Sequence, residues 1–223
     1  PDFKKHPVQS FLLPTLAHHN HDKFEIFAFA ELENEDKISR EYKSYVDYWI
    51  RTDGMTDDEL AQKVRSLGID ILVDLAGHTR NNRLTVFAQK PAPVSLSWWI
   101  GYGYTTGLTA IDYFFTSKFM APKGSEHLFS EKIWRISDYC YCCYEEKAKM
   151  GKVGPLPALE KGYITFGTLT RSIRINDRVI KVWAEILKRV KNSKLVILHK
   201  SSSIFFALKF NKPLLLLSLL LLM

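Results

Sequence analysis

The stretch from Thr56 to Leu75 constrains the fold more than any other part of the chain. Thr56-Asp-Asp-Glu59 is a capping box, in which the first and fourth side chains satisfy each other's backbone N–H groups at a helix start. Leu60, Val64 and Leu67 follow at helical spacing, and Gly68 supplies the residue that closes such a helix. Ile69 to Leu75 is then a short, nearly continuous apolar run. That pattern predicts a strand buried on both faces of a parallel sheet. A helix feeding such a strand is half of an α/β unit, and the neighbouring segments repeat it. Pro7 to His19 reads as a helix with Phe11, Leu12 and Leu16 as its apolar stripe, and Phe24 to Ala30 reads as a strand. Asp36 to Asp47 and Arg83 to Lys90 read as helices; Val94 to Trp99 and Ile111 to Thr116 read as strands.

Alternation with short connections predicts an α/β fold with a mostly parallel sheet. In such sheets ligands bind beyond the carboxyl ends of the strands. Two loops fall there, Gly77-His-Thr-Arg80 and Ile100-Gly-Tyr-Gly-Tyr-Thr-Thr-Gly107. Asp138 to Lys161 breaks the pattern, with Gly151, Gly154, Pro155 and Pro157, and reads as a linker. Beyond it, strand 163–166, a helix capped by Asn176 or Asp177 and strand 195–198 read as the first βαβ of a second domain. The domains expected are therefore 1–157, 158–200 and a low-complexity tail at 201–223. The tail's apolar run of about ten residues is half of the roughly 20 that a membrane span needs. No membrane partner is expected.

Composition narrows the function. At 46% hydrophobic and 25% charged, wholesale disorder is excluded. Three cysteines exclude a disulfide scaffold and point to a reducing, cytoplasmic setting. The net charge of +7 is uneven: residues 1–160 hold 19 basic and 22 acidic side chains, residues 161–223 hold 12 and 2. A basic segment suits nucleic acid, a membrane surface or a nucleotide phosphate, or is simply a solvated helix face. No basic and aromatic stacking array supports nucleic acid. Gly101-x-Gly103 with Gly107 lacks the spacing of a dinucleotide fingerprint. Cys140, Cys142 and Cys143, and likewise His18, His19 and His21, lack metal-ligand spacing. No metal is expected. His78 follows a buried strand, and Asp2 stands four residues from His6, so that a helical segment would place them on one face.

Several segments in order resemble one family. They include Asp-Phe-Lys-Lys-His-Pro (2–7), Leu-Ala-His-His (16–19), Lys-Phe-Glu-Ile-Phe (23–27) and Gly-Ile-Asp-Ile-Leu-Val-Asp-Leu-Ala-Gly-His-Thr (68–79). Phe-Ala-Gln-Lys-Pro-Ala-Pro-Val (87–94), Gly-Tyr-Gly-Tyr-Thr-Thr-Gly-Leu (101–108), Ile-Asp-Tyr (111–113), Tyr-Ile-Thr-Phe-Gly (163–167) and Val-Trp-Ala-Glu-Ile-Leu-Lys-Arg-Val (182–190) complete the set. The chain is similar to the catalytic region of glycosyltransferase family 41, the protein O-GlcNAc transferases and SPINDLY-type proteins, over about residues 1–199. The resemblance implies two Rossmann-like lobes (GT-B), usually behind tetratricopeptide repeats. It implies transfer of a sugar from a UDP-sugar donor, typically UDP-GlcNAc, to Ser or Thr hydroxyls of proteins with inversion and without a metal. Some members use a GDP-fucose donor.

Carried over by residue, the resemblance makes Asp2 and His6 catalytic, with His6 near the donor phosphates and the acceptor hydroxyl. Ile100, Gly101 and Tyr102 line the sugar pocket. Arg174 stands where animal enzymes carry a phosphate-binding Lys, and Arg171 where they carry a Gln; Arg adds bidentate reach but does not replace Lys exactly in geometry. His78 falls in a cleft-facing loop where animal enzymes have Tyr, and Val8 replaces a Thr. After His199 the resemblance stops, so the chain by itself is expected to be an incomplete, inactive part of such an enzyme. A non-catalytic binding remnant of the same family is one alternative, and a nucleic-acid-binding module, motivated by the net charge alone, is the other.

Overall fold

The computed structural model describes residues 1–98, 104–137, 152–170, 172–197 and 206–208. The chain divides into two compact units, Pro1–Lys149 and Met150–Met223. In the first, α1 (Gln9–Ala17), β1 (Phe27–Ala30), α2 (Lys37–Lys43), β2 (Tyr48–Arg51), α3 (Asp57–Ser66), β3 (Ile71–Asp74), α4 (Leu84–Ala88), β4 (Val94–Ser97), β5 (Tyr113–Ser117) and β6 (Lys132–Ser137) follow in order. β1 and β2 form one parallel pair; β3, β4, β5 and β6 form a four-stranded parallel sheet in sequence order.

Local chemistry explains the elements. The Thr56–Glu59 capping box forms as expected: the Glu59 N–H donates to Thr56 Oγ1 at 3.2 Å and the Thr56 N–H to Glu59 Oε2 at 2.8 Å. Leu60, Ala61 and Val64 on α3 are buried against Leu72, Val86, Phe87, Ala92 and Ile111. Each such large apolar side chain contributes about 1.5–3 kcal/mol by burial. Gly68 closes α3 with φ +64°, a conformation that costs a side chain its Cβ clearance. α2 carries a second capping box, between Asp36 and Ser39, that the sequence reading did not find. A second cluster packs Val8, Leu12, Leu13 and Tyr42 with Trp49, Leu75 and Trp98.

Three differences from expectation are physical. β3 is buried on one face only: Leu72 and Asp74 are buried, while Ile71 and Val73 are 49% and 41% exposed. The covered face is the one that carries Leu72, which packs among Leu60, Ala61 and Val64 of α3 and Val86 and Phe87 of α4. β2 and β6 went unread because short aromatic strands such as Tyr-Trp-Ile carry no periodic pattern long enough to count. Finally, residues 2–8 form bends and turns rather than helix, and α1 starts at Gln9. Pro7 disfavours helical backbone at His6.

The second unit holds α5 (Pro157–Lys161), β7 (Thr165–Thr168), α6 (Asp177–Arg189), β8 (Lys194–Ile197) and β9 (Phe206–Leu208). β7 and β8 pair in parallel across α6, a βαβ unit, and β9 adds antiparallel to β8 within the stretch expected to be tail. Asn176 Oδ1 caps α6 by accepting from the Val179 N–H at 3.1 Å. The α/β class and the parallel pairing expected from the sequence are both observed.

Candidate active site

The expected site residues fall into three groups. Ile100, Gly101, Tyr102 and Arg171 lie outside the described residues, as do the three cysteines. Arg174 lies in the second unit, exposed, on the single 3₁₀ turn Ser172–Arg174 that leads into the N-terminus of α6. Asp2, His6 and His78 belong to the first unit, and His78 follows the carboxyl end of β3.

Asp2 and His6 do approach each other, through a turn rather than along a helix. His6 Nδ1 lies 3.7 Å from Asp2 Oδ2, an ion-pair distance when the ring is protonated and too long for a hydrogen bond. The Val8 N–H donates to the same Nδ1 at 3.4 Å. In the neutral ring this places the proton on Nε2, so His6 presents a donor outward. The loop is held by Phe3, whose ring meets Tyr42 edge-on at 5.1 Å and Trp49 at 5.5 Å. Burial pushes the Tyr42 phenol well above its ordinary value.

His78 sits on a loop built by Asp74, the last residue of β3. The Asp74 carboxylate accepts from the Ala76 N–H at 3.0 Å, the Gly77 N–H at 3.1 Å and Ser97 Oγ at 2.8 Å. It thereby ties the β3 loop to the end of β4. Burial pushes the Asp74 carboxyl up, against the pull of the Ser97, Ala76 and Gly77 hydrogen bonds. Gly77, at φ +50°, lets both amides turn onto one carboxylate. His78 Nε2 lies 3.2 Å from the Thr105 carbonyl oxygen, to which it donates when that nitrogen is protonated.

The loop bearing Thr105 is anchored in turn by Glu131, which is buried. Its carboxylate accepts from the Thr106 N–H at 2.7 Å, from Thr105 Oγ1 at 2.8 Å and from Thr106 Oγ1. Arg83 completes the frame. Its guanidinium donates to Glu31 at 2.7 Å and to Asp57 at 2.7 Å, and to the Met55 carbonyl at 3.0 Å. It joins the end of β1 to the start of α3. Sequence reading missed Asp74, Ser97, Glu131 and Arg83. An acid at the end of an apolar strand was the one signal available, at Asp74.

Asp2, Asp74 and Glu31 line a common cavity at this rim. His6 and His78 do not line that cavity; each separately offers an imidazole nitrogen of the kind that can donate to a polyanionic leaving group. Among the described residues no three His, Cys, Asp or Glu side chains group as a metal would require. Nor is any described helix long and apolar enough to cross a membrane.

Comparison with known proteins gives the family. The family model described as Glycosyl transferase family 41 matches residues 1–147. The chain is 37% identical over 201 residues to SPINDLY of Arabidopsis thaliana, a probable UDP-N-acetylglucosamine–peptide N-acetylglucosaminyltransferase. That match covers 88% of this chain and 22% of the relative. It is 30% identical over 207 residues to SEC of the same plant, likewise a probable UDP-N-acetylglucosamine–peptide N-acetylglucosaminyltransferase, covering 89% of this chain and 21% of the relative. Among solved structures, a mutant O-GlcNAc transferase of Thermobaculum terrenum superposes with a TM-score of 0.78 at 31% identity, covering 89% of this chain and 37% of that one. The chain thus spans about a fifth of the length of the curated relatives it matches.

Proposed function

The chain belongs to glycosyltransferase family 41, and from that premise we propose that it is part of the catalytic region of an inverting protein O-linked N-acetylglucosaminyltransferase. Its donor is UDP-GlcNAc and its acceptors are Ser or Thr hydroxyls of proteins. The observation that carries the reading is the Asp2–His6 pair, separated by 3.7 Å, with Nδ1 of His6 occupied by the Val8 N–H. With that tautomer, Nε2–H is placed to donate to a diphosphate oxygen as the sugar C1–O bond breaks and charge collects on UDP.

In this reading residues 1–157 are the N-terminal catalytic lobe and 158–200 the first βαβ of the nucleotide-binding lobe. Ile100, Gly101 and Tyr102 line the sugar pocket, and His78 faces the cleft. Arg171, Arg174 and the N-terminus of α6 take the diphosphate, which leaves no step that needs a metal. The basic charge serves the nucleotide rather than nucleic acid. Three cysteines and the absence of a long apolar helix among the described residues favour the cytoplasm.

The test is a chimera in which residues 1–137 replace the matching segment of the Thermobaculum enzyme. His6→Ala in that chimera is expected to lower kcat for GlcNAc transfer about 10²–10³-fold with little change in UDP affinity. Equal kcat in the His6→Ala chimera would overturn the assignment.

A further inference from the structure

Glu131 stands just before β6, and its carboxylate is 5% exposed. A glutamate is seldom buried this far without a cationic partner. Among the described residues no Lys or Arg pairs with it, and its hydrogen bonds come from two adjacent residues of one loop. Oε1 accepts from the Thr106 N–H at 2.7 Å and from Thr106 Oγ1, and Oε2 accepts from Thr105 Oγ1 at 2.8 Å. Neutral donors offset only part of the cost of burying a charge, so an apolar residue at this position would serve stability better. What the carboxylate supplies instead is a fixed shape for Thr105 and Thr106.

That shape is passed on. Thr105 Oγ1 also accepts from the Gly107 N–H at 2.9 Å and from the Ser130 N–H at 3.1 Å, which leaves the residue little freedom to turn. The Thr105 carbonyl oxygen lies 3.2 Å from His78 Nε2. On the other side, Asp74 shapes the loop that carries His78 by accepting from the Ala76 and Gly77 amides. One buried carboxylate thus sets the loop under His78, and a second sets the carbonyl that its ring meets.

We propose that Glu131 is a positioning residue for the donor sugar: through Thr105 it sets the direction in which the His78 ring faces the cleft. The role rests on the proposed donor, UDP-GlcNAc. Small displacements of such a ring change how a bound sugar is held, while contacts to the nucleotide stay as they are.

Saturation-transfer NMR on the 223-residue chain with excess UDP-GlcNAc tests this, because the N-acetyl methyl protons report the sugar and the uracil protons report the nucleotide. Both are expected to receive saturation in the parent chain. In Glu131→Gln the N-acetyl signal is expected to fall at least about fivefold with the uracil signal unchanged, since the amide puts a donor where the loop needs an acceptor. His78→Ala is expected to lose the same signal, and the double variant to lose no more, as two residues acting through one contact do. Thr106→Ser keeps the hydroxyl and with it the signal. Thr106→Val keeps the bulk and loses the signal, the reverse of what a packing role gives. Slow exchange of the Val94 and Trp98 amides, which bond to the Asp70 and Asp74 carbonyls, reports that each variant is folded. The proposal is overturned if folded Glu131→Gln keeps its N-acetyl signal, or if Thr106→Val keeps it and Thr106→Ser does not; the Thr106 variants decide if Glu131→Gln fails to fold. A parent chain without an N-acetyl signal overturns the proposed donor, and the role of Glu131 with it.

Discussion

At the scale of single residues, the loops of the candidate site are held by side chains whose partners are distant in sequence. Asp2 and His6 were legible because four residues separate them within one motif, and His78 because it follows an apolar strand. Asp74, Glu131 and Arg83 were not, because Asp74 meets Ser97 across 23 residues, Glu131 meets Thr106 across 25 and Arg83 meets Glu31 across 52. No local pattern encodes such pairings. Asp74 makes a pH prediction. Its folded value is raised by burial, so its contribution to stability is full below the ordinary carboxylate range and is lost as pH rises through the raised value. Asp74→Asn keeps the shape and removes this titration. Urea unfolding at pH 7 and pH 4.5 is expected to show the variant losing ground to the parent at the lower pH. A constant difference between the two pH values would refute the raised value.

At the scale of elements, helices were read well and short strands poorly. α3 was legible in full because its capping box, apolar spacing and closing glycine agree. β2, four residues long, was hidden by its length, and the burial of β3 was overestimated because an apolar run does not say how many faces are covered. Two measurements belong here. Gly68→Ala meets no neighbouring atom within 4 Å, so its cost is the left-handed backbone alone, about 1–2 kcal/mol by chemical denaturation. Arg83→Met removes the link between β1 and α3 and strands Glu31 and Asp57. A loss of about 2 kcal/mol and a Tm lower by roughly 5 °C are expected. Asp57 is held below the ordinary carboxylate value by the Thr85 hydroxyl and Arg83. Its contribution is present above that range and lost as pH falls through the lowered value, so the cost of Arg83→Met shrinks in acid.

At the scale of the whole chain, the family was legible. The ordered motifs over residues 1–199 identify a glycosyltransferase of family 41. Arg174, part of the basic excess, stands on the turn before α6. The proposed function makes residues 1–157 the catalytic side of a GlcNAc transferase that needs a complete second lobe. Transfer of labelled GlcNAc from UDP-GlcNAc to an acceptor protein tests it directly. The chimera with the Thermobaculum second lobe is expected to transfer the sugar, and the 223-residue chain to show no turnover above blank. A folded chimera that binds UDP and transfers nothing, or turnover by the 223-residue chain alone, would contradict it.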